Sequence, residues 1–145
     1  MKSLFALAIL LLCAVSVSAQ TASETAEWLN TKLTTLARTQ DDGRRRLPKI
    51  TKYQASGETP GVVGSDYIRF SDVKGVSSRR TSRAVIVVLV GPSHCPACSE
   101  IQENSEWSFP LDGETPPAEV DRVLKAFRHM AQLCGAKLID DDLFK

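Results

Sequence analysis

Apolar residues at Ala22, Ala26, Leu29, Leu33 and Leu36 recur every three or four positions, the spacing that lines one face of a helix, and they predict a helix over 22–39. Thr21 followed by Glu24 has the spacing of a capping box at its start, and Gln40-Asp41-Asp42-Gly43 supplies a polar stop. Trp28 falls beside the stripe and is expected to pack at its margin. From Leu47 to Leu111 the helical period is gone. β-Favouring stretches at 47–55, 66–73, 83–90 and 106–111, separated by Gly, Pro, Ser and Asp clusters, predict four strands. Trp107, Phe109 and Leu111 occupy every second position, as a half-buried strand requires, and Pro110 between them places that strand at a sheet edge. The run Ala84-Val85-Ile86-Val87-Val88-Leu89-Val90 carries no charge and is dominated by β-branched residues. It predicts a central strand covered on both faces and stopped by Gly91-Pro92.

Helical spacing returns at Val120, Val123, Leu124, Phe127, Met130 or Ala131, and Cys134. A helix over 116–134 follows, with the Thr115 hydroxyl expected to cap it ahead of Pro116-Pro117 and Gly135 expected to close it in the left-handed conformation. The fold class this predicts is α+β: a mainly antiparallel curved sheet or partial barrel packed by a C-terminal helix, with an additional N-terminal helix.

Composition narrows the class. With 145 residues, 43% of them hydrophobic and 24% charged, the chain reads as one ordinary domain, which excludes collagen, a polytopic membrane protein and a highly charged disordered tail. Lys2, the apolar run Leu4 to Val15 and the small residues Val17-Ser18-Ala19 have the layout of a signal peptide, so residues 1–19 are expected to be removed and the product exported, periplasmic or extracellular. The run is shorter than the ~20 residues that span a bilayer, and no transmembrane segment is expected in the mature chain. A single domain is then expected over 20–139, with 140–145 as an acidic tail. Loss of Lys2 leaves 17 basic and 17 acidic side chains, and without a field of one sign there is no case for nucleic acid as a partner. The short basic runs Arg44-Arg45-Arg46 and Arg79-Arg80 are expected to guard strand edges. They make an anion or headgroup contact only if both fall on one face.

One constellation has chemical potential: His94-Cys95-Pro96-Ala97-Cys98, directly after the apolar strand. Three readings are open. A Cys95–Cys98 disulfide staples a strand-to-strand loop while Cys134 serves as a small hydrophobe. Alternatively, a strand leading into Cys-Pro-Ala-Cys resembles the thioredoxin family; the resemblance implies a Cys95 thiol activated at a helix N-terminus, favoured further by protonated His94. That likeness covers about a dozen residues. Only 47 residues follow Cys98, and Pro110 is the sole candidate for the proline that such a fold places opposite its dithiol. In the third reading His94, Cys95 and Cys98 hold a metal, but His129 and Cys134 lie five apart, roughly 140° around a helix, and do not converge to complete a ligand set. No cofactor is expected, and Asp66 and Asp72 read as solvated or turn-forming carboxylates without a catalytic role.

The opening Glu27-Trp28-Leu29-Asn30-Thr31-Lys32-Leu33, the strand Ile68-Arg69-Phe70-Ser71-Asp72-Val73 and the closing Ala126-Phe127-Arg128-His129-Met130-Ala131-Gln132-Leu133-Cys134-Gly135 together resemble a group of uncharacterised exported bacterial proteins. The arrangement is similar to the pleckstrin-homology-like architecture. The resemblance implies a fold and transfers no activity, ligand or partner. Outside residues 94–98 no nucleophile is paired with a base and no glycine-rich phosphate loop occurs. The pattern therefore favours a non-catalytic exported binding or interaction module, for a protein or small-molecule ligand it does not identify. A thiol-disulfide oxidoreductase and a metal-binding protein are the alternatives.

Overall fold

The computed structural model describes residues 20–39, 47–57, 67–94 and 102–139. Their elements, in chain order, are α1 (Ala22–Leu36), β1 (Pro48–Ile50), β2 (Gln54–Gly57), β3 (Tyr67–Arg69), a 3-10 turn (Phe70–Asp72), β4 (Gly75–Arg80), β5 (Ala84–His94), β6 (Gln102–Asp112) and α2 (Pro117–Leu133). The class is α+β, and every strand pairing is antiparallel. The six strands form an open sheet in the order β1-β2-β3-β5-β4, with β6 on the other side of β5.

The long strand β5 organises the sheet. Along one side it pairs with β6 from Ala84 opposite Asp112 to Ser93 opposite Gln102. Its other side is shared: β4 takes Val85 to Val90, and β3 takes Ser93 and His94. Between those two partners the chain folds into the 3-10 turn and leans onto Gly91. A Cβ at Gly91 would lie 2.7 Å from the Asp72 carbonyl oxygen, so only glycine admits this approach. The expected stop at Gly91-Pro92 is therefore corrected. The strand runs on to His94, and Pro92 is accommodated where the register with β6 shifts between Gly91 and Ser93.

Both helices pack on one face. Leu29 and Leu33 of α1, and Val123, Phe127 and Met130 of α2, are fully buried against Val85, Val87 and Leu89 of β5 and Trp107, Phe109 and Leu111 of β6. Phe127 sits at the centre, its ring 6.2 Å from that of Phe70 and 6.4 Å from that of Trp107. Trp28 packs at the margin of this core with Lys32 Nζ 5.9 Å from its ring. Lys32 also bridges the two helices, Nζ to Glu119 Oε2 at 2.7 Å.

The element ends follow local chemistry. Thr21 and Glu24 form the capping box: the Thr21 hydroxyl accepts from Glu24 N–H at 3.2 Å, and Thr21 N–H donates to Glu24 Oε2 at 2.7 Å. α1 stops at Leu36 rather than at 39. Ala37 already bridges Leu111 and Arg38 N–H donates to the Pro110 carbonyl, so the outer edge of β6 captures the chain first. The edge position inferred for Pro110's strand is thus correct, although that edge is met by the strand-like residues after α1. α2 closes on Gly135 at φ 83°, with Gly135 N–H donating to Gln132 and Ala136 N–H to Ala131. Its start differs from expectation: the Thr115 hydroxyl donates to the Asp112 carbonyl at 2.7 Å and caps nothing.

Three strand expectations also change. The 47–55 stretch is a hairpin of β1 and β2, turned at Thr51, whose hydroxyl accepts from Tyr53 and Gln54 N–H. The 66–73 stretch is β3 followed by the 3-10 turn. β4 was not expected, because Ser77, Ser78, Arg79 and Arg80 show no apolar alternation and only Val76 is buried.

Candidate functional site

His94 is the described member of the cluster singled out in the sequence; Cys95 and Cys98 lie outside the described residues, as do Arg44, Arg45 and Arg46. At the end of β5, His94 stands opposite Tyr67, and their rings stack 5.0 Å apart at 12°. Its Nε2 lies 3.7 Å from Asp72 Oδ2, beyond hydrogen-bond length, and is buried with no hydrogen-bond partner among the described residues. Asp72 in turn accepts from the Ser71 hydroxyl at 3.1 Å. The carboxylate that the sequence left solvated is thus brought beside the imidazole by the 3-10 turn, and the glycine that admits that turn is three residues before His94. No local pattern announces this contact, because it depends on β3 and β4 sharing one side of β5.

The other ligand-type residues lie in separate surroundings. His129 Nε2 is 3.1 Å from the Gln20 carbonyl oxygen. Cys134 is free, at the end of α2, with its Sγ donating to the Lys52 carbonyl at 3.3 Å, and burial pushes its thiol above the ordinary value. His94, by contrast, is held by Tyr67 and Asp72, so no two of these three side chains share a partner. Pro110 pairs with Ile86, eight residues up β5 from His94 and so about 26 Å away along the strand. It is not opposite His94, whose register partner is Tyr67. The chain after His94 returns in an antiparallel neighbour, whereas the thioredoxin arrangement continues into alternating helices and strands.

Arg79 and Arg80 are adjacent on β4 and point to opposite faces. Arg80 donates to the carbonyls of Gly113 and Thr115 and so holds the turn that leads into α2. Arg79 pairs with Glu106 across the sheet at 3.2 Å, both side chains about half exposed. The two arginines do not form a joint anion surface.

The face on which Arg79 lies is the larger departure from expectation. Among the described residues no helix or strand covers it, and Ser77, Arg79, Glu106, Ser108 and Asp112 on it are exposed. Yet the side chains that β5 turns toward it are Ala84, Ile86, Val88 and Val90, with Ile86 and Val90 half-buried. Register sets them in rows: Gly75, Val90 and Glu106; Ser77, Val88 and Ser108; Arg79, Ile86 and Pro110. The Arg79–Glu106 pair runs diagonally over Val88, which is only 3% exposed though it lies outside the main core. One face of this strand is covered by helices; on the other Ala84 and Val88 are buried as well, and among the described residues the Arg79–Glu106 pair and short polar neighbours lie beside them.

Compared with known proteins, the chain matches no family model, no curated protein and no solved structure. No helix among the described residues is long and apolar enough to cross a membrane.

Proposed function

We propose that this protein is an exported, non-catalytic binding module whose contact surface is the face of β4, β5 and β6 that no described helix or strand covers. One observation carries the reading. An antiparallel sheet with a single covered face ordinarily alternates apolar residues inward and polar residues outward. Here β5 is apolar on both sides, and its outward row Ala84, Ile86, Val88 and Val90 is flanked by serines and one ion pair. A sheet face offers breadth rather than a concavity, which suits a macromolecule better than a small ligand. His94, Lys32 and Arg80 serve the architecture: His94 is packed between Tyr67 and Asp72, Lys32 ties the helices, and Arg80 holds the turn before α2.

Photo-crosslinkers placed singly at Ser77 and Ser108 in the producing cell are expected to yield a discrete adduct, with little at the outward Asp121 and Gln132 of α2. Equal yield from all four positions, or none, removes the reading.

A Cys95–Cys98 disulfide fits this module as a staple for the connection between β5 and β6, whose flanking residues Ser93 and Gln102 are already register partners. Intact mass with and without reduction is expected to differ by two hydrogens. A reductase-coupled turnover of disulfide substrate that is lost in Cys95→Ser would instead favour oxidoreductase chemistry.

A further inference from the structure

Resting on the reading of residues 1–19 as removed on export, we propose that Gln20 is a modification site: left as the first residue, it closes on itself to form pyroglutamate. The small residues Val17-Ser18-Ala19 put the cut after Ala19, and Gln20 then carries the free α-amine. In the structure Gln20 stands just ahead of the N-cap Thr21 and is itself exposed. The peptide group joining the two is held from both sides. His129 Nε2 on α2 lies 3.1 Å from the Gln20 carbonyl oxygen, which can only accept, so the imidazole donates; Thr21 N–H donates to Glu24 Oε2 at 2.7 Å. Among the described residues no hydrogen bond engages the Gln20 side-chain amide.

That clamp lies on the carbonyl side of the residue, so the bonds from N to Cα and out along the side chain keep their rotation, and the amine can reach the side-chain carbon Cδ. The α-amine nitrogen attacks Cδ. The new bond closes a lactam as the bond from Cδ to the amide nitrogen breaks, and that nitrogen leaves as ammonia with the proton the amine gives up. Nothing is oxidised or reduced, and no co-reactant is consumed. Both groups belong to one residue, so the step is intramolecular, and an α-amine titrating at about 7.7–8.0 is in part unprotonated and nucleophilic near neutral pH. Glu24 is engaged elsewhere: its Oε2 already receives the Thr21 N–H and hydroxyl, at 2.7 and 2.9 Å. The product also suits the place. A ring amide carries no charge, whereas an amine would set a cation ahead of α1, where free N–H groups already give a partial positive charge.

The test is the intact mass of the full chain recovered from the exported fraction of the producing cell, read after reduction so that the thiols do not contribute. The expected mass is that of residues 20–145 less one ammonia. N-terminal sequencing is expected to be blocked, and to begin at Thr21 once the denatured chain has been digested with a pyroglutamyl peptidase. Gln20→Ala is expected to give residues 20–145 at full mass with a readable first residue. A Gln20 terminus at full mass, or a cut at another bond, overturns the proposal and leaves export standing. Ammonia loss that persists in Gln20→Ala overturns it as well, since the loss then comes from another residue. A chain that keeps residues 1–19 removes both this proposal and the export on which it rests.

Discussion

The two faces of β5 carry almost the same residues and meet different fates. Val85, Val87 and Leu89 on one side are sealed under α1, α2 and the aromatic group around Phe127. Ala84, Ile86, Val88 and Val90 on the other have no secondary-structure element above them among the described residues. Val88 is nonetheless buried on this second side, where Arg79 and Glu106 pair across the sheet. The difference teaches that an apolar, β-branched run establishes a strand and its central position without establishing what covers it. On the helix side the cover was written elsewhere in the chain as two amphipathic periods. On the open side no such period exists.

The sharpest way to break this contrast is to empty the covered side. Phe127→Ala is expected to lower the unfolding free energy by about 3–5 kcal/mol in urea titration, since it removes the ring that joins Phe70 and Trp107. A loss below about 1 kcal/mol would mean that the helix layer contributes no more than the open face. Gly91→Ala drives a Cβ against the Asp72 carbonyl, which is backbone and cannot rotate away; a cost of about 1–3 kcal/mol is expected, with the Tyr67–His94 stack disturbed in the histidine NMR signals.

A matched pair on β5 sharpens the comparison further. Val87→Ala is expected to cost about 2 kcal/mol, from lost transfer energy plus a cavity, and Val88→Ala less than half as much, because flexible arms can settle into the space. Equal losses would show that the open face is as tightly built as the closed one. Arg79→Ala comes lower, at about 0–1 kcal/mol, as for other half-exposed ion pairs.

The last effect is acid sensitivity. The Thr21 backbone N–H, with help from its hydroxyl, holds the Glu24 carboxyl below its ordinary 4.5; the Lys32 hydrogen bond does the same for Glu119. Both folded values are depressed, so their stabilisation is complete above about pH 4.5 and fades as pH falls through the folded values. Melting temperature followed from pH 6 downward is expected to drop beneath that point, less steeply in Glu119→Gln. An acid profile unchanged in that variant would remove the Lys32–Glu119 bridge from the account.

What could be read along the chain was periodic or directional. The two helices, the Thr21–Glu24 box, the Gly135 closure and the edge position of Pro110 each depend on residues within a few positions of one another. β4 escaped notice because its pairing is supplied by β5 and its own residues are polar. The Asp72–His94 approach escaped because it requires a partner exchange along one side of β5, together with a glycine whose neighbour is distant in sequence. The role of Asn30 escaped for the same reason: its amide both donates to the Ile50 carbonyl at 2.7 Å and accepts from Ile50 N–H at 2.8 Å.

That amide has a consequence for the rim of the sheet. Among the described residues β1 has one strand neighbour, and the residues it turns outward are Pro48, which lacks an N–H, and Ile50, whose donor and acceptor Asn30 already occupies. An incoming strand would find almost no rungs to grip there, so this border resists templated fibril growth by chemistry rather than by bulk. An Asn30→Ala chain would reopen the ladder at its narrowest point.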